Sequence, residues 1–226
     1  VTAERTEFHV DAVLLDLDGT LIDSTPIIVR SWSRWAEEFG VTTAQFEALG
    51  SLHGRTSGAI VRALVPPDRV AAGERRIDEL ETTDVDGLVP LPGVTAFLAK
   101  IPAGRWAIVT SGNDAIAGVR TKAAGLEPTV LITADDVTYG KPHPEPFLLG
   151  AERLGVAPER CLVIEDAPAG LEAARKAGMR TIAVTTSHRA ADLDADLVVS
   201  GIHELDLHVS GGPLIVRAAG AASSED

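Results

Sequence analysis

Short apolar runs alternate along this chain with stretches whose apolar residues recur at helical spacing. Val13 to Leu15, Trp106 to Thr110, Val130 to Thr133, Cys161 to Glu165, Thr181 to Thr185 and Leu197 to Val199 have the length and residue types of buried strands. Between them, Asp114 to Ala124, Pro144 to Leu154 and Ala169 to Ala177 read as helices, each closed by a glycine: Gly125, Gly155 and Gly178. Gly93 to Ile101 reads as a shorter helix. Strands that alternate with helices across short connections predict a parallel sheet covered on both faces.

Residues 24–86 break this alternation, because no strand pattern occurs there. Ile28, Trp32, Trp35 and Phe39 make one helical stripe, which starts at Ser24-Thr25-Pro26 with a capping residue and ends at Gly40. Residues 43–50, 56–64 and 68–82 read as further helices, the last burying Val70, Ile77 and Leu80. The expected fold is therefore α/β, a doubly wound parallel-sheet core with an inserted α-helical cap domain. The core takes residues 8–22 and 88–209, the cap 24–86, and a C-terminal tail 210–226. Residues 1–10 look like a lead-in to the first strand, and Gly211-Gly212-Pro213 carries the turn signal of a hairpin over 205–217.

Charge and composition narrow the partners. The net charge of −13 over 226 residues argues against non-specific binding to nucleic acid or to an anionic membrane. No apolar run reaches membrane-spanning length, and residues 1–10 lack the core of a signal peptide. Cys161 is the only cysteine, so no internal disulfide can form, and its apolar surroundings suit a buried structural residue. These features lead us to expect a soluble cytoplasmic protein, monomeric or weakly dimeric.

The chemistry concentrates at strand ends. Asp16 and Asp18 follow the first apolar run and precede a Gly-Thr turn. With one residue between them they point to the same side of an extended chain. Two close carboxylates resist ionising when buried, yet suit a divalent cation with hard oxygen ligands. Thr110, Ser111, Gly112 and Asn113 follow the next core strand, Lys141 lies in a later loop, and Glu165-Asp166 closes the strand Cys161 to Ile164. Taken singly, each has an ordinary reading. Asp-x-Asp can be a polar turn, Thr110 or Ser111 a helix start, Lys141 a solvated residue before Pro142, and Asp166 a helix cap. Ligands of open parallel sheets bind beyond the carboxyl ends of the strands, and all four clusters fall there in order. Packing alone does not explain that coincidence.

The strings DLDGTLIDS, VTSGN, GKPHPEPF and VIEDAPAG together resemble the four motifs of the haloacid dehalogenase-like hydrolase superfamily. The resemblance implies a phosphoryl transfer in which Asp16 is the nucleophile and forms an aspartyl phosphate, and Asp18 is the acid and base. Thr110 would bind a phosphoryl oxygen, with Ser111, Gly112 and Asn113 beside it, and Lys141 would neutralise charge. It implies Mg²⁺ held by Asp16, Asp166, Glu165 and the backbone carbonyl of Asp18. ITADDVTYGKPHPEPFLLG and the cap string HGRTSGAI are similar to the glycerol-3-phosphatase and 2-deoxyglucose-6-phosphatase branch. That implies a small phosphorylated metabolite as partner, recognised in part by His53 and Arg55 of the cap. Three alternatives remain beside this reading. Sugar phosphomutases of the β-phosphoglucomutase type place a His where this chain has Ile28, and a Lys where it has Asn113. Haloacid dehalogenases have no use for a carboxylate at Asp18. A non-catalytic phosphosugar-binding protein would have lost Asp16, Asp18 or Lys141.

Overall fold

The computed structural model describes residues 6–50, 55–209 and 211–219. The chain runs through β1 (Glu7–Val10), β2 (Ala12–Leu15), β3 (Ile22–Asp23), α1 (Thr25–Phe39), α2 (Thr43–Leu49), α3 (Ser57–Leu64) and α4 (Val70–Thr83). It continues through β4 (Val89–Pro90), α5 (Val94–Leu98), β5 (Trp106–Val109), α6 (Asp114–Ala123), β6 (Val130–Ile132) and α7 (Glu145–Leu154). The last elements are β7 (Cys161–Glu165), α8 (Pro168–Lys176), β8 (Arg180–Val184), β9 (Leu197–Val199), β10 (Leu205–Val209) and β11 (Leu214–Ala218).

Six of these strands form one sheet in the order β6-β5-β2-β7-β8-β9, and every pairing in it is parallel. Alternate side chains of each strand go to opposite faces. Val13, Leu15, Ile108, Leu162 and Ile164 pack with Phe97 of α5 and Ala117 of α6. Leu14, Ala107, Val109 and Val163 pack with Phe147 of α7 and Ala173 of α8. A strand buried on both faces cannot alternate apolar with polar residues, which is why the core strands read as unbroken apolar runs.

The cap has its own core. Trp32 and Trp35 of α1 pack with Ile60, Val61 and Leu64 of α3 and with Ile77 and Leu80 of α4. Trp35 stacks on Phe39 at 4.7 Å between ring centroids, and its indole N–H donates to the Gly73 carbonyl at 2.9 Å. The two chain segments that join cap to core run side by side as the antiparallel pair β3–β4, with Ile22 opposite Pro90 and Asp23 opposite Val89.

Several local expectations change. Ser24 occupies the N-cap of α1 but makes no side-chain capping bond. Asp23 Oδ1 instead accepts from the Thr25 amide at 3.2 Å, while the Ser24 hydroxyl is buried without a partner among the described residues. Ile27 enters the core cluster below the cap, whereas Ile28 stays half-buried against the cap cluster. The fourth cap helix begins as a 3₁₀ turn at Pro67–Arg69 before α4, and Val70 is only half-buried. The boundary drawn at residue 210 falls inside a hairpin: β11 pairs with β10 and, on its other edge, with β1. Residues 214–218 are therefore part of an ordered three-stranded sheet and not of a tail. Leu214 and Val216 are buried there beside Phe8 and Val10.

Candidate active site

The apolar runs end together, so their polar successors converge. Parallel pairing puts Leu15 beside Ile108 and Ile164, and the chain then releases Asp16, Thr110 and Glu165 at one edge of the sheet. Asp16 and Asp18 line the same cavity of about 70 Å³. Gly19 makes the turn behind them with a φ of +89°, and a Cβ there would come within 2.5 Å of an Asp166 carboxylate oxygen. Only glycine meets both demands.

Lys141 is the hub. Its ammonium donates to Asp16 Oδ1 at 2.6 Å, to Glu165 Oε1 at 2.7 Å and to the Val109 carbonyl at 2.9 Å. Burial works against this cation, but Asp16 and Glu165 outweigh it and raise its pKa. Glu165 spends its other oxygen on the amides of Asp166 and Ala167, both at 2.7 Å. It therefore steadies Lys141 and the start of α8 at once. The same bonds show that Asp166 is not the helix cap; that position is held by Ala167.

Asp166 takes hydroxyl donors instead. It accepts from Thr20 Oγ1 at 3.3 Å and from Ser187 Oγ, while Thr186 Oγ1 donates to the Gly19 carbonyl. Carboxylate oxygens of Asp16, Glu165 and Asp166 all lie within 4.8 Å of one another, and all three residues are buried. Burial raises the pKa of Asp16, with Lys141 opposing and Glu165 adding to the rise. Burial and the charges of Glu165 and Asp16 hold Asp166 well above the usual carboxylate range. Three buried carboxylates facing a single ammonium lack positive charge, and their donor set is oxygen only. That is the chemistry a hard divalent cation fits. The Asp18 carboxylate is not part of this cluster, so any contribution from Asp18 would come through its backbone carbonyl.

Thr110 is buried with its hydroxyl accepting from the Gly112 amide at 3.1 Å. Ser111 and Gly112 line the cavity with it. Asn113 does something else. It caps α6 by accepting from the Ile116 amide at 3.0 Å, and its Nδ2 donates to Asp78 of the cap at 3.0 Å. It lines a wider groove of about 720 Å³ between cap and core rather than the cavity above Asp16. Arg55 does line that inner cavity, with one guanidinium nitrogen donating to the Leu49 carbonyl at 3.2 Å. His53 lies outside the described residues.

Two cavity residues escaped the sequence reading. Arg120 of α6 is buried and donates to Asp18 Oδ1 at 2.7 Å. Glu81 of α4 is buried 3.6 Å from the same guanidinium. Burial pushes Glu81 up to about 7 against the pull of Arg120. The signal for both was present: Arg120 follows Ile116 by four positions and Glu81 follows Ile77 by four, so each charge sits on a buried helical stripe.

The sequence profile of the haloacid dehalogenase-like hydrolases matches residues 10–178. The chain is 41% identical over 199 residues to hexitol phosphatase A of Escherichia coli, across 85% of this chain and 91% of that one. It is 34% identical over 216 residues to glycerol-1-phosphate phosphohydrolase 2 of Saccharomyces cerevisiae, across 86% and 81% of the two chains. A solved hydrolase from Pseudomonas syringae superposes with a TM-score of 0.74 at 25% identity, across 85% of this chain and 94% of that one. Among the described residues no helix is long and apolar enough to cross a membrane.

Proposed function

This chain belongs to the haloacid dehalogenase-like hydrolase family, and from that premise we propose that it is a phosphatase of sugar and polyol phosphates working through an aspartyl phosphate. The observation that carries the mechanism is the ammonium of Lys141 held 2.6 Å from Asp16. A carboxylate can attack an anionic phosphoryl group only where positive charge is concentrated.

Asp16 attacks phosphorus, forming the acyl phosphate and releasing the alcohol. Asp18, lining the same cavity, gives the leaving alkoxide its proton and then takes one from the water that opens the intermediate. Thr110 and the amides that follow it donate to phosphoryl oxygens near the start of α6. Lys141 balances the charge on Asp16 and on the phosphoryl group. Mg²⁺ fits the oxygen donors of Asp16 and Asp166, with Glu165 supporting them from behind through Lys141 and the amides of Asp166 and Ala167. When bound it supplies Lewis-acid stabilisation of the phosphoryl charge. The names of the relatives, a hexitol phosphatase and a glycerol-1-phosphate phosphohydrolase, support polyol phosphates as the substrate class. The cavity lining supports it too: Arg55, Ser57 and Glu81 face it beside Ile28, Ile60 and Trp32. Its polar members offer hydrogen-bond partners to the hydroxyls of a small polyhydroxylated body.

The mutase alternative lacks support, since Ile28 lines the cavity where a mutase carries histidine, leaving water as the acceptor. The deciding experiment is phosphate release across hexitol, glycerol and hexose phosphates and nucleotides, with Mg²⁺ and with EDTA. Release from polyol and sugar phosphates that stops in EDTA and returns with Mg²⁺ is expected. A panel led by nucleotides would overturn the substrate class, and full activity after exhaustive chelation would overturn the metal.

A further inference from the structure

Helix α4 of the cap lies against helix α6 of the core, and two polar contacts mark the seam. Asp78 and Glu81 are three positions apart on α4 and share a face. Asn113, the N-cap of α6, and Arg120, within it, both reach toward α4. The outer contact is the hydrogen bond from Asn113 to Asp78. The inner contact is the ion pair from Arg120 Nη2 to Glu81 Oε1 at 3.6 Å, too long for a hydrogen bond.

Arg120 has a second hand. Its Nη1 donates to Asp18 Oδ1 at 2.7 Å, while its Nε and Nη2 are buried with no hydrogen-bond partner among the described residues. Buried donors are costly until they find an acceptor. Glu81 offers an acceptor on the cap side, and an approach of about half an ångström would bring it to hydrogen-bond distance. The guanidinium is rigid and planar, so a pull on Nη2 is transmitted to Nη1.

We propose that Arg120 is a positioning residue: it sets the orientation of the Asp18 carboxylate, and takes its own position from Glu81, so that Asp18 is in place when α4 of the cap is docked on α6. The proposal rests on the phosphatase reading above, in which Asp18 serves the leaving group and the water. It gives the cap a direct line to the acid and base, separate from excluding solvent.

The test compares wild type with Arg120→Met, Arg120→Lys and Glu81→Gln on a hexitol phosphate and on p-nitrophenyl phosphate, with Mg²⁺ present. An alkoxide needs a proton as it leaves and p-nitrophenolate does not, so a misplaced Asp18 should hurt the first substrate more. Arg120→Met should lower kcat for the hexitol phosphate on the order of a hundredfold with KM within a few-fold, yet keep the initial burst of p-nitrophenol. Arg120→Lys should recover part of the loss. Glu81→Gln, which leaves the Arg120–Asp18 pair in place, should show the same selectivity at about tenfold. Equal loss on both substrates without rescue by lysine would make Arg120 a structural residue, and no loss would return it to packing; either overturns the proposal. Should Arg120→Met fail to fold, a Glu81→Gln variant that spares both substrates overturns it alone. Hydrogen exchange supplies an arm that needs no turnover. Glu81→Gln should loosen the turn from Asp18 to Ile22 in the other domain, and unchanged protection there overturns the coupling. A wild type that releases phosphate from neither substrate counts against the phosphatase reading, while the exchange result still decides the clamp.

Discussion

The carboxylate of Glu165 occupies the space that a side chain at Gly170 would need: a Cβ on Gly170 would lie 1.8 Å from Glu165 Oε1. Both residues belong to the β7–α8 unit, and the missing side chain lets Glu165 fold back over the first turn of α8. From there it holds Lys141 at 2.7 Å and caps two amides. Gly170→Ala should evict that carboxylate. Activity should fall on the order of a hundredfold, since misplacement of about an ångström suffices for such a loss. Phosphate-release assays would show it, and an active Gly170→Ala enzyme would mean Glu165 is dispensable.

Lys141→Met should be both inactive and unstable. It leaves Asp16 and Glu165 buried opposite no cation, and breaking a buried pair in this way costs about 3–5 kcal/mol. Denaturant unfolding checks the magnitude. Mg²⁺ should recover part of that stability in the variant, because a cation bound near Asp16 restores positive charge there. A Lys141→Met chain as stable as wild type without metal would contradict the hub.

Glu81 makes stability depend on pH. Burial raises it from the ordinary 4.5 to about 7, so the native state keeps a proton that the unfolded chain has already lost. The native state thus binds more protons between these values, and stability falls as pH rises from about 4.5 through about 7. The difference corresponds to about 3 kcal/mol. Glu81→Gln should remove that part of the slope, so its stability relative to wild type should grow between pH 5 and pH 8. Parallel unfolding curves at both pH values would place Glu81 in a wetter setting.

Arg55 is the cap residue to test for recognition, since it lines the cavity from the far side. Arg55→Ala should lower kcat/KM for the best polyol phosphate about tenfold more than for p-nitrophenyl phosphate. Equal losses on both would make it part of the general catalytic machinery.

Cys161 should not react in the folded protein. It is fully buried, and burial pushes its thiol up to about 12, so thiolate is scarce at neutral pH. Thiol reagents should modify it only after unfolding, and prompt labelling of the native chain would contradict the packing of β7.

What the sequence determined by itself was whatever the backbone repeats locally. Unbroken apolar runs, helical stripes and glycine stops located the core strands and most helices, because those signals arise within a few residues. The four clusters at strand ends were legible for the same reason: parallel winding fixes which end of each strand faces the ligand. The role of Asn113 was not, since capping α6 and reaching Asp78 of the cap look the same in sequence as binding substrate. Nor was the capping failure of Ser24, which depends on where its buried hydroxyl ends up. The sheet of β1, β11 and β10 joins chain ends about two hundred residues apart, and no local period encodes such a pairing. Arg120, Asp18 and Glu81 come from a core helix, a strand end and a cap helix. Their charges could be counted in the sequence, but which carboxylates share one guanidinium is settled by distance and burial, and only the packing of α4 on α6 sets those.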